Sequence, residues 1–164
     1  MKTFRKNENG IGLIEVIIGA SIISVGIIAL IQGYNIYLNY ALANSGNVQA
    51  AYLMEEGMEG VTFIRDKGWT ANIFPLSTTT TYYLAFDNSA STWKATTTVQ
   101  YVDGTFLRTI NVNDVARDAS AYIVTSGGTY DSNTKKITVT VKYFQGHATT
   151  TRTMTSYIAN VNAD

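Results

Sequence analysis

A long apolar stretch near the N-terminus constrains this chain more than any other feature. From Ile11 to Ile31 the only formally charged residue is Glu15. As a helix rising about 1.5 Å per residue, this stretch is long enough to cross a hydrocarbon layer of roughly 30 Å. A carboxylate inside a membrane is energetically costly, so Glu15 is a candidate functional residue whose partner has to be identified.

Basic residues precede the apolar stretch, where Lys2, Arg5 and Lys6 outnumber Glu8. Such residues keep their side of a membrane span in the cytoplasm, so we predict a single pass with a cytoplasmic N-terminus. A secretory signal peptide is an alternative, because Ala41-Leu42-Ala43 has the small-x-small form of a cleavage site. The apolar stretch is longer than the roughly 7 to 15 residues of such a signal. An uncleaved membrane anchor is a second alternative.

Composition limits the classes of partner. The chain has 12 basic and 12 acidic residues, so its net charge gives no reason to propose nucleic acid, and near-zero charge favours self-association. It contains no cysteine, which excludes disulfide bonds and thiolate metal sites. Its many threonine and tyrosine residues indicate β-strands.

The segment Gly10-Ile11-Gly12-Leu13-Ile14-Glu15-Val16 resembles the class III leader of type IV pilins and type II secretion pseudopilins. The resemblance implies that a prepilin peptidase removes residues 1–10, methylates the new amine of Ile11 and leaves Glu15 as the fifth mature residue. Gly10 matches the cleavage-site glycine of the family, and Leu13-Ile14-Glu15-Val16 matches its core motif. Ile11 and Gly12 replace the usual phenylalanine and threonine, and the proline common near the end of the membrane run is absent. The missing C-terminal cysteine pair favours a minor pilin or a minor pseudopilin.

After cleavage, the Ile11 amine and Glu15 would lie one helical turn apart on the same face. At about 4 Å and an effective dielectric constant near 20, opposite unit charges attract by about 4 kcal/mol before desolvation is subtracted. The resemblance implies that Glu15, flanked by the assembly residues Leu13, Ile14 and Val16, pairs with the Ile11 amine of a neighbouring subunit and sets its axial register. The alternative is that Glu15 pairs with its own amine or extends to the membrane interface.

Glycine recurs every seven residues in this helix, at Gly12, Gly19, Gly26 and Gly33. With a drift of roughly 20° per heptad, these residues form a nearly straight stripe, which in membranes lets helices approach closely. We interpret the stripe as a helix-packing surface of a filament core. The alternative is that glycine is simply common in membrane helices.

Residues 34–63 continue the helical pattern as an amphipathic half. Its polar side carries Asn44, Gln49 and Glu56, and we interpret Glu55, Glu56 and Glu59 as a solvated face. The apolar side, predicted to face a β-domain, comprises Tyr34, Tyr37, Leu38, Ala41, Leu42, Val48, Tyr52 and Met58.

Residues 64–164 are predicted to form a β-rich head. Asp103-Gly104 is a strong hairpin signal, and Arg117-Asp118 breaks the strand pattern. An antiparallel sheet with one apolar face would be covered by the amphipathic helix, so the expected fold is α+β and pilin-like. The predicted strands are 82–86, 93–102, 105–115, 122–125, 137–143 and 149–158, with a loop from Gly127 to Asn133.

No catalytic motif is present, and we predict neither enzymatic activity nor a cofactor. The single histidine, His147, is interpreted as a surface residue. Asp131-Ser132-Asn133 offers oxygen ligands for calcium but is equally typical of a turn. Binding to DNA is disfavoured, because it would depend on a weak patch of Lys135, Lys136, Lys142 and Arg152.

The sequence therefore predicts a leader at 1–10, a membrane half at 11–33, an amphipathic half at 34–63 and a head at 64–164. The expected function is that of a structural subunit, a minor pilin by family resemblance, held in the bacterial inner membrane and then placed in a cell-surface or periplasmic filament. Its expected partners are prepilin peptidase and other pilin subunits. The alternatives are a minor pseudopilin, a membrane-anchored extracellular binding protein and a DNA-uptake pilin.

Overall fold

The computed structural model describes residues 9–145 and 148–161, with side chains from residue 12 onward. It confirms the α+β fold, with a long helix α1 (Asn9–Asp66), a one-turn helix α2 (Trp69–Asn72) and seven strands. The predicted leader falls largely outside the described residues, which include only the helical backbone of Asn9 and Gly10. The strands are β1 (Thr81–Asp87), β2 (Thr92–Thr96), β3 (Tyr101–Val102), β4 (Phe106–Arg117), β5 (Ile123–Val124), β6 (Thr129–Gln145) and β7 (Ala148–Ala159).

The chain divides into two compact units, Met1–Asn44 and Ser45–Asp164. The described part of the first unit is entirely helical. The second unit contains the C-terminal part of α1, the short helix α2 and the whole sheet. From here on, the head means this whole second unit, which adds helix residues 45–63 to the head predicted at 64–164.

The sheet is antiparallel, with the strand order β2-β1-β4-β6-β7, and β3 and β5 each pair with β4 as well. Strand β4 is central in this order, and its neighbour β6 pairs with β4 on one side and with β7 on the other. The register between β4 and β6 shifts at Asp114 and Val115, where β6 contains an irregularity. Strand β7 lies at one edge, and its pairing with β6 runs without interruption from Ala148 to Ala159.

The core lies between one face of this sheet and the helix residues of the head. Alternation places Ile137, Val139 and Val141 of β6 on that face, and all three are fully buried. Side chains of α1 at three- and four-residue spacing cover them, namely Ala50, Leu53, Met54, Val61 and Ile64.

The predicted apolar face of the helix is wrong at several positions. Val48 and Tyr52, which were expected to be buried, are exposed. The other exposed members of the predicted apolar side are Tyr34, Tyr37, Leu38, Ala41 and Leu42. Met58 is confirmed, since it is partly buried and packs on the core. The helix also continues to Asp66, slightly beyond the predicted end, and Gly68 follows it with a φ of 138°.

Most predicted strands are confirmed with shifted ends. The Asp103-Gly104 hairpin is confirmed, and both residues have the positive φ angles of a type I′ turn, 50° and 65°. The single strand predicted at 93–102 is divided into β2 and β3. The loop predicted from Gly127 to Asn133 is wrong beyond Gly128, because β6 begins at Thr129.

Candidate functional site

The first unit presents an apolar surface without a cover. Its large hydrophobic side chains, from Leu13 to Leu42, are exposed, and Leu30 is 75% exposed. A contiguous apolar surface of this length is rare on monomeric soluble proteins and marks a site that contacts lipid or other protein. The helix is long and apolar enough to cross a membrane.

The hydroxyl groups in this segment are compatible with an apolar environment. Ser21 donates a hydrogen bond to the carbonyl oxygen of Ile17, and Ser24 donates one to that of Ala20, each at 2.7 Å. A serine bonded back to its own helix does not need water as a partner. Glu15 stands out because it is the only formally charged residue from Leu13 to Leu42.

The predicted assembly residues surround Glu15 at the start of this segment. Glu15 is exposed, and no ion pair joins it to a basic side chain of the described residues. Leu13, Ile14 and Val16 are exposed as well. Gly10 and Ile11 belong to the helix, but their side-chain surroundings are outside the described residues.

The predicted glycine stripe faces open space. A Cβ atom added at Gly12, Gly19, Gly26 or Gly33 would meet nothing within 4 Å. The chain itself therefore gives no steric reason for glycine at these positions. Such a reason could come only from a surface that this chain meets, or from the frequency of glycine in membrane helices.

A second set of glycines in α1 does have a reason within the head. A Cβ atom would lie 2.9 Å from Tyr143 at Gly46, 2.8 Å from Val139 at Gly57 and 2.7 Å from Leu84 at Gly60. With Ala50, these glycines form a face of small residues on which sheet side chains rest. Sequence reasoning missed this face, and the three- and four-residue spacing of small residues was the signal that could have revealed it.

Two polar clusters fix the helix to the sheet within the head. The Asn47 side-chain oxygen accepts hydrogen bonds from the Tyr143 hydroxyl at 2.7 Å and from Arg152 Nη2 at 2.8 Å. Arg108 Nη1 donates to the carbonyl oxygen of Leu53 at 3.2 Å and lies 3.1 Å from a carboxylate oxygen of Glu56. Glu56 keeps 45% of its side chain exposed, as expected of a solvated face, but it also pairs with a buried guanidinium, which was not predicted.

The basic residues considered for DNA binding do not form one patch. Lys136 and Lys142 lie on the outer face of β6, whereas Lys135 and Arg152 lie on the helix-facing side of the sheet. Lys135 is only 3% exposed and forms an ion pair with Asp114 at 2.5 Å. Burial by itself would lower the pKa of Lys135, but the hydrogen bond and charge of Asp114 outweigh it, so that the pKa is raised.

The loop considered for calcium has its carboxylate engaged by the protein. Asp131 accepts a hydrogen bond from Arg117 Nε at 2.6 Å through one oxygen and from the backbone N–H of Asn133 at 2.9 Å through the other. The hydrogen bond from Arg117 is the main cause that holds the pKa of Asp131 below its usual value. These contacts give Asp131 a structural role at the point where the register between β4 and β6 shifts.

No group of three or more histidine, cysteine, aspartate or glutamate side chains in the described residues is arranged to hold a metal ion. His147 and Gly146 lie outside the described residues, so the surface interpretation of His147 stays a prediction. The candidate functional site is thus the apolar surface of the first unit with Glu15.

Comparisons with protein-family models, with curated proteins and with solved structures find no match to this chain. A long N-terminal apolar helix and an antiparallel sheet covered by its C-terminal part are compatible with a pilin-like architecture.

Proposed function

We propose that this chain is a pilin-like structural subunit, processed between Gly10 and Ile11 by a prepilin peptidase and assembled into a filament through its N-terminal helix. The exposed apolar surface from Leu13 to Leu42 is the observation that carries this proposal. Lipid would cover that surface before assembly, and helices of neighbouring subunits would cover it afterwards.

Glu15 distinguishes this proposal from a simple membrane anchor. An anchor needs no carboxylate, and placing one in lipid has a free-energy cost. A filament subunit has a use for it, because the methylated amine of a neighbouring Ile11 would neutralise the charge and fix the axial register. Leu13, Ile14 and Val16 would pack around that contact, and the glycine stripe would let neighbouring helices approach.

The proposed subunit is held in the inner membrane of a bacterium with its N-terminus in the cytoplasm, and it then enters a filament on the cell surface or in the periplasm. We favour a minor pilin, with a minor pseudopilin of a secretion system as the alternative. A DNA-uptake role is disfavoured, because the four basic residues lie on two faces of the sheet. Absence of duplex binding at low salt would agree with this.

Processing is tested by coexpressing the chain with a prepilin peptidase and measuring the intact mass. We expect loss of Met1 to Gly10 and a gain of one methyl group. Gly10→Val should block the cut, whereas the matched variant Gly12→Ala should be processed. An unchanged wild-type mass, or a cut after Ala43, would contradict the proposal and indicate an anchor or a secretory signal.

Assembly is tested separately by the incorporation of variants into sheared filaments of a host that expresses them at equal membrane levels. Glu15→Gln removes the charge at nearly constant size, and the double variant Gly19→Leu/Gly26→Leu fills the stripe. Both should reduce incorporation, whereas Ile23→Leu, an exposed position outside the stripe, should not. Normal incorporation of Glu15→Gln would remove the register argument, and normal incorporation of the double variant would remove the packing argument.

A further inference from the structure

The head contains a cleft where its sheet divides. Strand β1 pairs with β4 only through Thr81 and Tyr82 and continues beyond them with β2 alone. Strand β3 pairs with β4 farther along, through Tyr101 and Val102. The space between the two hairpins is a cleft of about 650 Å³, within the roughly 300 to 1,000 Å³ of small-ligand sites.

The floor of the cleft carries a buried guanidinium with donors to spare. Arg108 lines the cleft, is 4% exposed and uses Nη1 for the Leu53 carbonyl oxygen and for Glu56. In the described part of the chain, every fully buried side-chain nitrogen and oxygen has a hydrogen-bond partner. Nε and Nη2 of Arg108 form no hydrogen bond to the described residues, so they cannot be among the fully buried atoms. Since Arg108 lines the cleft, we infer that their N–H groups are accessible from it.

Aromatic rings form the walls. Trp93 lines the cleft beside Arg108, whose guanidinium carbon is 5.7 Å from the ring centroid, and it packs edge-on against Phe86 with the ring centroids 5.3 Å apart. Tyr101, on the opposite hairpin, is 58% exposed. The cleft therefore combines apolar ring surfaces with a fixed hydrogen-bonding floor.

The charges in the cleft balance. Arg108 and Lys94 are opposed by Glu56 and Asp103, which line the same space. This balance does not favour a strongly charged ligand, because either sign of charge would meet its like. The guanidinium of Arg108 supplies hydrogen-bond donors, and the carboxylates of Glu56 and Asp103 supply acceptors. Such planar groups suit a ligand with neighbouring hydroxyl groups.

We propose that this cleft binds a neutral saccharide chain. The C–H faces of sugar rings would stack on the exposed Tyr101 and contact the part of Trp93 that lines the cleft, and hydroxyl groups would bind the Arg108 guanidinium and the Glu56 carboxylate. This inference is independent of filament assembly, since it uses the side chains of the head alone.

The test is ligand-observed saturation-transfer NMR with the full-length chain in a phosphocholine detergent, which lacks a sugar head group. The probes are maltotetraose, cellotetraose and tetra-N-acetylchitotetraose, with a hyaluronan tetrasaccharide as the acidic comparator. At least one neutral probe should give a saturable signal with a dissociation constant of about 1 mM. Trp93 should report the same binding by a change in fluorescence, because the other tryptophan, Trp69, is buried elsewhere in the head.

The matched variants are Tyr101→Ala in the cleft and Tyr122→Ala outside it, both at exposed positions. Tyr101→Ala should weaken binding about tenfold, which corresponds to about 1.4 kcal/mol of lost stacking, and Tyr122→Ala should leave it unchanged. The proposal is overturned if no neutral probe gives a saturable signal, if only hyaluronan binds, or if the two variants bind alike.

Discussion

The two parts of α1 contain the same residue types in opposite surroundings. In the first unit, leucine and isoleucine side chains are exposed and glycines face open space, whereas in the head leucine is buried and glycines lie against Tyr143, Val139 and Leu84. The presence of glycine on a helix face therefore does not show which residues pack against that face. Only the surrounding structure shows it.

Leucine substitutions should show the largest difference between the two parts. Leu53 is 8% exposed in the core of the head, and Leu53→Ala should lower the free energy of unfolding by about 2 to 5 kcal/mol through lost burial and a cavity. Leu30→Ala should leave the unfolding of the head unchanged. Urea unfolding in detergent, followed by the tryptophan fluorescence of the head, measures both, and equal losses would contradict the comparison.

Glycine substitutions should show a smaller difference of the same kind. Gly57→Ala brings a Cβ atom to 2.8 Å from Val139, and the resulting overpacking should destabilise the head by about 1 to 2 kcal/mol after the gain in helix propensity is subtracted. Gly19→Ala meets no atom within 4 Å and should not lower stability. The midpoint of thermal unfolding checks both variants, and a more stable Gly57→Ala protein would show that the contact is loose.

Asparagine substitutions should show the same difference in stability for a polar contact. Asn47→Ala removes the acceptor shared by Tyr143 and Arg152 and should cost about 1 kcal/mol. Asn35→Ala, at an exposed position of the first unit, is the control. If both variants unfold like the wild type in urea, the Asn47 cluster does not hold the helix to the sheet.

Lowering the pH should produce the smallest change in stability, through a carboxylate of the head. The pKa of Asp131 is lowered in the folded state, mainly by the hydrogen bond from Arg117, so its contribution is present above the unfolded pKa of about 3.9 and is lost as pH falls below it. The contribution should be at most about 1 kcal/mol. Asp131→Asn should be less stable than the wild type at neutral pH and equally stable in acid. A difference that does not change with pH would exclude the carboxylate as its cause.

Local signals predicted much of the fold. The Asp103-Gly104 turn and the alternation from Ile137 to Tyr143 required only neighbouring residues, and both are confirmed. The face of the helix in the head depends on distant residues, and the apolar pattern misplaced it at Val48 and Tyr52.

The contacts that sequence reasoning missed join residues far apart in the chain. Neither the pair of Arg108 with Glu56 nor the division of the 93–102 segment into β2 and β3 has a local signature. The cleft results from that division and so could not be anticipated. The processing and assembly residues from Gly10 to Val16 stay predictions, since their roles depend on partners.

The hydrogen bond between Asn47 and Arg152 has a consequence for synthesis of the chain. The two residues are 105 positions apart, and Arg152 belongs to β7, which follows the other described strands in the chain. The helix residues of the head therefore cannot be fully covered until β7 has been synthesised, which makes this closure a late, non-local step. The first unit needs no such delay, because helical hydrogen bonds are local and can form as soon as its own residues emerge.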